Sequence, residues 1–432
     1  MNKEILRLSI PIIISNISIP LLGMVDTALM GRLENEYYIG AVALGSLIFN
    51  FVYWGFGFLR MGTTGLTAQA YGRNDPKEII AILARGLLVA AAGSLVLIAL
   101  QSVISWFGFS LIPGEESVKS LAEQYFFIRI YAAPATLALY VFYGWFLGMQ
   151  NAKYPMFLTV LVNLVNIGFN VFFVSFLGMK SDGVALGTVC AQYTGLGLAV
   201  ILFVSKYRHH VKDYESKIVL KLESVKLFFS VNRDIFIRTI CLVFTFAFFT
   251  AASSAMEPLI LAANQILLQY VSLMAYGVDG FAFAAESLVG RFTGEKNRAA
   301  LKSAVQKLFI WGCGMGAGFA ILYALFKKKL IVVFTDLEPV IETASVYVWW
   351  LVVIPVFGAV AYMWDGIYIG ATATKPMRNM MLISTLIVFL PVTLLFVRFL
   401  GNHGLWLALT LFMIARGTTL TLLSRKHIFQ RI

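Results

Sequence analysis

Four carboxylates, Asp26, Asp279, Glu286 and Asp365, stand inside long apolar stretches of this 432-residue chain. A carboxylate in hydrocarbon costs about 2.5–3.5 kcal/mol on insertion scales, so such a residue commonly marks an ion or substrate path. Asp26 follows Pro11 and Pro20, whose missing amide donors weaken a helix and make this stretch a candidate hinge. A later stretch presents Asn163, Asn166 and Asn170 at i, i+3 and i+7, which is one helical face. The stretch after it carries Thr188 and Gln192 one turn apart. One carboxylate, several amides and a hydroxyl could form a buried polar cluster if these three stretches pack together. Amide donors favour the ionised carboxylate and burial disfavours it, so Asp26 could change protonation state and rearrange its bonds to the asparagines. A proline-weakened helix could convert that rearrangement into a bend. The bland alternative is interhelical adhesion, because Asn and Thr also bond across membrane helices.

The other three carboxylates form a second group. Asp279 and Glu286 are seven residues apart and can share one face, and Asp365 precedes Gly366. Two readings stand open: a cation-attracting or second coupling site, or pairing with the in-span bases Arg238 and Arg416. Glu286, nearer a polar break, fits the pairing reading better. Fifteen Met and 36 Phe residues suit an adaptable apolar pocket, and equally a lipid-facing surface.

The elements that must position these groups follow from composition. With 59% hydrophobic and 13% charged residues, the chain is neither a soluble domain nor disordered. Its mean hydropathy is +0.82. Twelve apolar runs are long enough to cross a bilayer core, which takes about twenty helical residues. They cover residues 9–31, 39–70, 79–108, 121–148, 155–177, 183–205, 234–254, 259–290, 303–326, 341–370, 377–399 and 404–424. The first is too long for a signal-peptide core and carries Asp26, so it reads as a retained span. None shows the alternation of a β-barrel strand, so the fold class is an all-α polytopic membrane protein. The longest polar break, Lys206 to Arg233, separates an N-terminal six-helix lobe (1–205) from a C-terminal one (234–432), with 206–233 as a cytoplasmic linker.

The net charge of +12 is topological. Lys and Arg do not gather on a polar domain, so nucleic acid is not indicated. Taking both termini on one side, 22 basic residues lie in the breaks on that side and seven on the other. The positive-inside rule then places both termini in the cytoplasm of a cell that carries this multi-pass protein in its inner membrane. The cluster Lys327 to Lys329 runs against the trend.

An internal repeat supports the two-lobe reading. Tyr140 to Met156 resembles Tyr362 to Met377 at an offset of 222 that becomes 221 after the lysine, and Ala41/Ala263, Gly72/Gly294 and Gly183/Gly404 follow the same offsets. Each half has an even number of spans, so the halves share one orientation and are expected to relate by an axis along the membrane normal, with a cavity near the midplane between them. Gly144 and Gly148, Gly366 and Gly370, and Gly183 and Gly187 are small-residue packing faces. No phosphate-binding GxxxxGK[ST] loop occurs, and His209, His210, His403 and His427 form no catalytic or metal pattern. Cys190, Cys241 and Cys313 fall inside apolar runs without metal or disulfide spacing. The chain therefore reads as no enzyme and as needing no cofactor or bound metal.

The stretch Pro20-Leu-Leu-Gly-Met-Val-Asp26-Thr-Ala-Leu-Met-Gly31, the Gly148-Met-Gln-Asn-Ala-Lys-Tyr-Pro-Met156 segment and the asparagine face of the fifth span resemble the multidrug and toxic compound extrusion (MATE) family. Asp279-Gly-Phe-Ala-Phe-Ala-Ala-Glu286 and Trp364-Asp365-Gly366 resemble its DNA-damage-inducible F branch. The resemblance covers nearly the whole chain. It implies a V-shaped pair of six-helix lobes that acts as a monomer and exports cationic, amphipathic organic compounds in exchange for protons or sodium. It also implies that Asp26 is the main coupling residue, with Asn166, Asn170 and Thr188 as partners, the same set that would hold a sodium ion. Many relatives carry a second aspartate where this chain has Asn170, which favours Asp26 as a lone proton carrier. The rival is a flippase for lipid-linked precursors, which would line its cavity with several basic residues. Here Arg60, Arg129, Arg238, Lys307 and Arg416 alone approach the spans.

Overall fold

The computed structural model describes residues 1–31, 37–112 and 115–430, with the Thr27 side chain outside that description. Arg32 of the charge tally therefore lies outside the described residues. Nearly every described residue is helical, and no strand occurs among them. Twelve helices among them are long and apolar enough to cross a membrane. They are α1 (Asn2–Met30), α2 (Tyr37–Gly72), α3 (Pro76–Ala99), α4 (Glu116–Gly148), α5 (Lys153–Phe176), α6 (Ser181–Asp213), α7 (Leu222–Ser254), α8 (Pro258–Gly294), α9 (Arg298–Val332), α10 (Trp350–Gly370), α11 (Thr374–Leu400) and α12 (Asn402–Phe429).

Two expected runs are divided. The stretch 79–108 breaks at Leu100 into α3 and a separate helix, Gln101–Leu111. The 24 residues of α3 rise about 1.5 Å each and already exceed the roughly 30 Å hydrocarbon core, so the second piece is not needed for the crossing. Likewise 341–370 begins with the helix Glu338–Tyr347 before α10 starts at Trp350.

Two compact units make up the chain, one of Ile14–Phe229 and one of Met1–Ile13 with Ser230–Ile432. One boundary falls inside α1, and the other falls inside α7, within the stretch 206–233. Much of the stretch 206–233 packs within the first unit. Arg85 of α3, itself buried, donates from Nη2 to Ile218 O at 2.6 Å and from Nε to Val219 O at 2.8 Å, and pairs with Glu78 at 2.7 Å. The guanidinium thereby adds donors to the last carbonyls of the short helix Ser216–Val219.

Equivalent positions in the two units carry the same backbone devices. Among the described residues, the four non-glycine residues with left-handed φ are Asn74, Gln150, Lys296 and Thr372, two pairs each 222 positions apart. Asp75 caps α3 by accepting from Glu78 N at 3.1 Å, and Asn297 caps α9 by accepting from Ala300 N at 3.0 Å. Gly144 of α4 packs on the Arg60 carbonyl of α2, and Gly366 of α10 on the Ala282 carbonyl of α8. One step along, Gly148 meets the Thr64 carbonyl and Gly370 the Glu286 carbonyl. A side chain at any of the four would meet backbone, so the helix pairs approach this closely only through glycine.

Candidate functional site

In the first unit, α1 and α5 run side by side with their polar faces in register. Asn163 Nδ2 donates to Ser18 Oγ at 3.0 Å and to Ser18 O at 3.3 Å. Two turns further along both helices, Asn170 Nδ2 donates to Asp26 Oδ1 at 2.7 Å. The chain of bonds continues inward. Asn170 Nδ2 also donates to Asn166 Oδ1 at 2.7 Å, Asn166 Nδ2 to Thr188 Oγ1 at 3.1 Å, and Thr188 Oγ1 to Val184 O at 3.0 Å. Asn166, Asn170 and Thr188 are buried, whereas Asp26 is half-buried. The carboxylate thus stands at the accessible end of a polar string whose far end terminates on helix α6.

Sequence spacing accounts for this. Asn163, Asn166 and Asn170 share one face of α5, and Ser18 and Asp26, eight residues apart, share one face of α1. Gly187 of α6 lets the string close, because a Cβ there would collide with Asn170 Oδ1. That oxygen is buried and accepts no hydrogen bond. Pro11 and Pro20 lie within α1, which is helical from Asn2 to Met30, and the unit boundary falls between them.

The second unit holds a different polar centre. Asp365 of α10 accepts through one oxygen, Oδ2, from Arg238 Nη2 of α7 and from Arg416 Nη2 of α12, the latter at 2.5 Å. All three side chains are buried, and Asp365 Oδ1 and the Nε atoms of both arginines accept or donate nothing. Of the two open readings of Asp365, the structure therefore displays pairing. Arg416 also lies 5.1 Å from the Phe412 ring centroid and 5.7 Å from that of Tyr362. Asp279 is half-buried and within electrostatic range of Arg238 and Tyr362. Glu286 is buried further along the same helix, with its carbonyl against Gly370.

Several polar residues escaped the sequence reading. Asn264 of α8 and Asn402 of α12 exchange amide bonds at 2.7 and 2.9 Å, and Trp406 Nε1 donates to Asn264 Oδ1 at 2.8 Å. Asp234 pairs with Arg378 at 2.7 Å. These partners lie far apart in sequence, and no spacing rule links them. Arg129, one of the basic residues near the spans, donates from Nη1 to Ser46 Oγ at 2.9 Å and to Tyr125 Oη at 2.5 Å.

The family model described as MatE matches twice, over residues 11–172 and 235–395. DNA damage-inducible protein F of Escherichia coli is 36% identical over 99% of this chain and 92% of its own length. A probable multidrug resistance protein NorM of Thermotoga maritima is 24% identical over 96% of this chain and 90% of its own. Among solved structures, a crystal structure of MATE in the bent conformation superposes with a TM-score of 0.90 at 19% identity, covering 100% of this chain and 96% of that one. A Vibrio cholerae MATE transporter, VcmN in the bent form, gives 0.86 at 17% identity, with 99% and 97% covered. These two structures bear on the fold. With the family model matching both halves and a relative above one-third identity aligned along almost the entire length, the chain belongs to the MATE family of multidrug efflux transporters.

Proposed function

We propose that this transporter is an antiporter that exports cationic or amphipathic organic compounds in exchange for protons taken up at Asp26. The observation that carries the reading is the hydrogen-bonded string from Asp26 through Asn170 and Asn166 to Thr188. A half-buried carboxylate at its open end can exchange a proton, and the fixed amides behind it register whether the carboxylate is an acceptor or a donor. Protonation turns a charge-assisted acceptor into a weaker neutral one and so loosens the hold of the Asn170 amide on α1, whose two prolines leave it two backbone bonds short. That is a bistable element of the kind alternating access requires. Both termini lie in the cytoplasm, on the strength of the basic residues in the breaks, and the protein works as a monomer in the cell's inner membrane.

Exchange of one monovalent cation for one proton moves no net charge, so the pH gradient alone drives it. An electrogenic cycle would gain about 2.3 kcal/mol per charge per 100 mV. In proteoliposomes, collapsing the pH gradient is expected to abolish export of an amphipathic fluorescent cation, and collapsing only the voltage to leave it. Asp26→Asn is expected to retain dye binding and lose gradient-driven export. Full export by Asp26→Asn would refute the reading. Transport of lipid-linked pyrophosphates in place of dyes would instead support the flippase.

A further inference from the structure

Where α9 begins, its first turns and the end of α12 frame a cavity of about 570 Å³ lined by Arg298, Ala299, Lys302 and Phe429. That volume lies within the roughly 300–1,000 Å³ of small-molecule sites. Arg298 and Lys302 stand one helical turn apart on α9 and both are exposed, so their charges share one face. Among the described residues neither has a carboxylate within 4.0 Å. Other bases on this side of the same unit are paired: Arg291 with Glu295 at 2.7 Å and with Glu4 at 3.4 Å, and Arg378 with Asp234 at 2.7 Å. The first turn of α9 holds no acidic residue. Its Arg298 therefore sits at the positive end of the helix dipole, a placement that a bound anion relieves.

The other wall belongs to the end of α12. Its last stretch, Arg425–Phe429, buries Ile428 and leaves Phe429 half-buried beside the two bases, and Arg425 and Lys426 in the same stretch are exposed. The depth of the cavity follows from the helical rise. Ile310 lies eight residues beyond Lys302 on α9, and Leu422 lies seven before Phe429 on α12. Both are strongly exposed, at 70% and 79%. Surface suited to hydrocarbon therefore lies about 10–12 Å along each helix from the cavity. Basic side chains and an aromatic ring at that distance stand at the membrane–water boundary, the level of lipid phosphates. A soluble phosphate would need the charges alone. The aromatic wall and the apolar surface beyond it match what a lipid carries next to its phosphate.

We propose that this cavity binds the phosphate headgroup of an anionic phospholipid from the leaflet on the side of the chain termini, with Arg298 and Lys302 pairing with the phosphate and Phe429 packing against the glycerol region. The bound lipid is not cargo, and the site is independent of the exchange chemistry at Asp26. A base next to the membrane strengthens attraction to anionic lipid by roughly fivefold, so the two together supply a preference of roughly 25-fold.

The test titrates delipidated full-length protein in a nonionic detergent, following its melting temperature and, by native mass spectrometry, the molecules it retains. The probes are phosphatidylglycerol, phosphatidylcholine and glycerol phosphate. Phosphatidylglycerol is expected to raise the melting temperature saturably and to stay bound, and the other two to do neither. Arg298→Gln/Lys302→Gln is expected to raise the half-maximal phosphatidylglycerol concentration at least about tenfold. Lys302→Arg, which keeps the charge, is expected to leave it unchanged. Lys212→Gln/Lys217→Gln removes the same charge from exposed positions outside the cavity and is expected to titrate as wild type. Should the cavity double variant fail to fold, Lys302→Gln alone is expected to shift the midpoint roughly fivefold. An equal response to phosphatidylcholine, an unshifted midpoint in the cavity variants, or an equal shift in Lys212→Gln/Lys217→Gln overturns the proposal. Stabilisation by glycerol phosphate at the concentrations effective for the lipid overturns it too, in favour of a soluble phosphate ligand. None of these measurements involves export, so their outcome is separate from that of Asp26→Asn.

Discussion

At the scale of single residues, the two units set their carboxylates in different surroundings. Asp26 is half-buried, accepts one bond from a neutral amide and can be replaced by an amide of the same shape. Asp365 is buried and is the shared acceptor of two buried arginines. Removing one partner of a buried ionic cluster typically costs about 3–5 kcal/mol, because it strands the others without compensation. Asp365→Asn is therefore expected to lower the melting temperature of the detergent-solubilised protein markedly, whereas Asp26→Asn is expected to change it little. Comparable melting curves for the two variants would contradict this division between a structural and an exchanging carboxylate.

Among the elements, glycine contacts decide which helices approach each other and where a polar string can close. Gly366 sits against the Ala282 carbonyl and Gly144 against the Arg60 carbonyl, and backbone cannot move aside as a flexible side chain does. Overpacking of this kind costs about 1–3 kcal/mol or more, so Gly144→Val and Gly366→Val are each expected to reduce the yield of folded, monodisperse protein. Gly187→Ala should act differently. Its new methyl group meets the end of the Asn170 side chain, whose oxygen makes no hydrogen bond there. The amide must rotate away from Asp26, so gradient-driven export is expected to fall severalfold with the protein still folded. Unchanged export by Gly187→Ala would show that the Asn170 position does not matter.

For the whole molecule, the architecture is duplicated and the chemistry is not. Displaced by the repeat offset, Asp26 corresponds to Phe248, Asn166 to Ile387, Asn170 to Pro391 and Thr188 to Leu409. Conversely, Arg238 corresponds to Asn16, Asp365 to Tyr143 and Arg416 to Gly195. Helix caps, left-handed turns and glycine contacts recur because both units solve one packing problem, whereas each polar centre arose in one unit alone. Orientation belongs to this scale too. On the proposed orientation, a single introduced cysteine at Lys180 is expected to react with a membrane-impermeant thiol reagent added outside intact cells, in a background lacking the native cysteines. Cysteines introduced at Lys3 and Lys426 are expected to stay unlabelled until the cells are opened.

The chain's linear pattern was enough for the all-α membrane class, the twelve crossings, the duplication and the asparagine face opposite Asp26. Each of these depends on local periodicity or on hydrocarbon thickness, and both are written along the chain. The reach of Asp26 to Asn170 was legible because two helical faces each carry polar groups at regular spacing. The Asn264–Asn402 exchange, the hold of Arg85 on Ile218 and Val219, and the convergence of Arg238 and Arg416 on one Asp365 oxygen were beyond that pattern. So was the neutral setting of Arg129. Such contacts join residues from helices distant in sequence, and which atoms meet depends on how closely and at what rotation the helices pack. Helical periodicity assigns a residue to a face; packing selects the residue it meets across the gap.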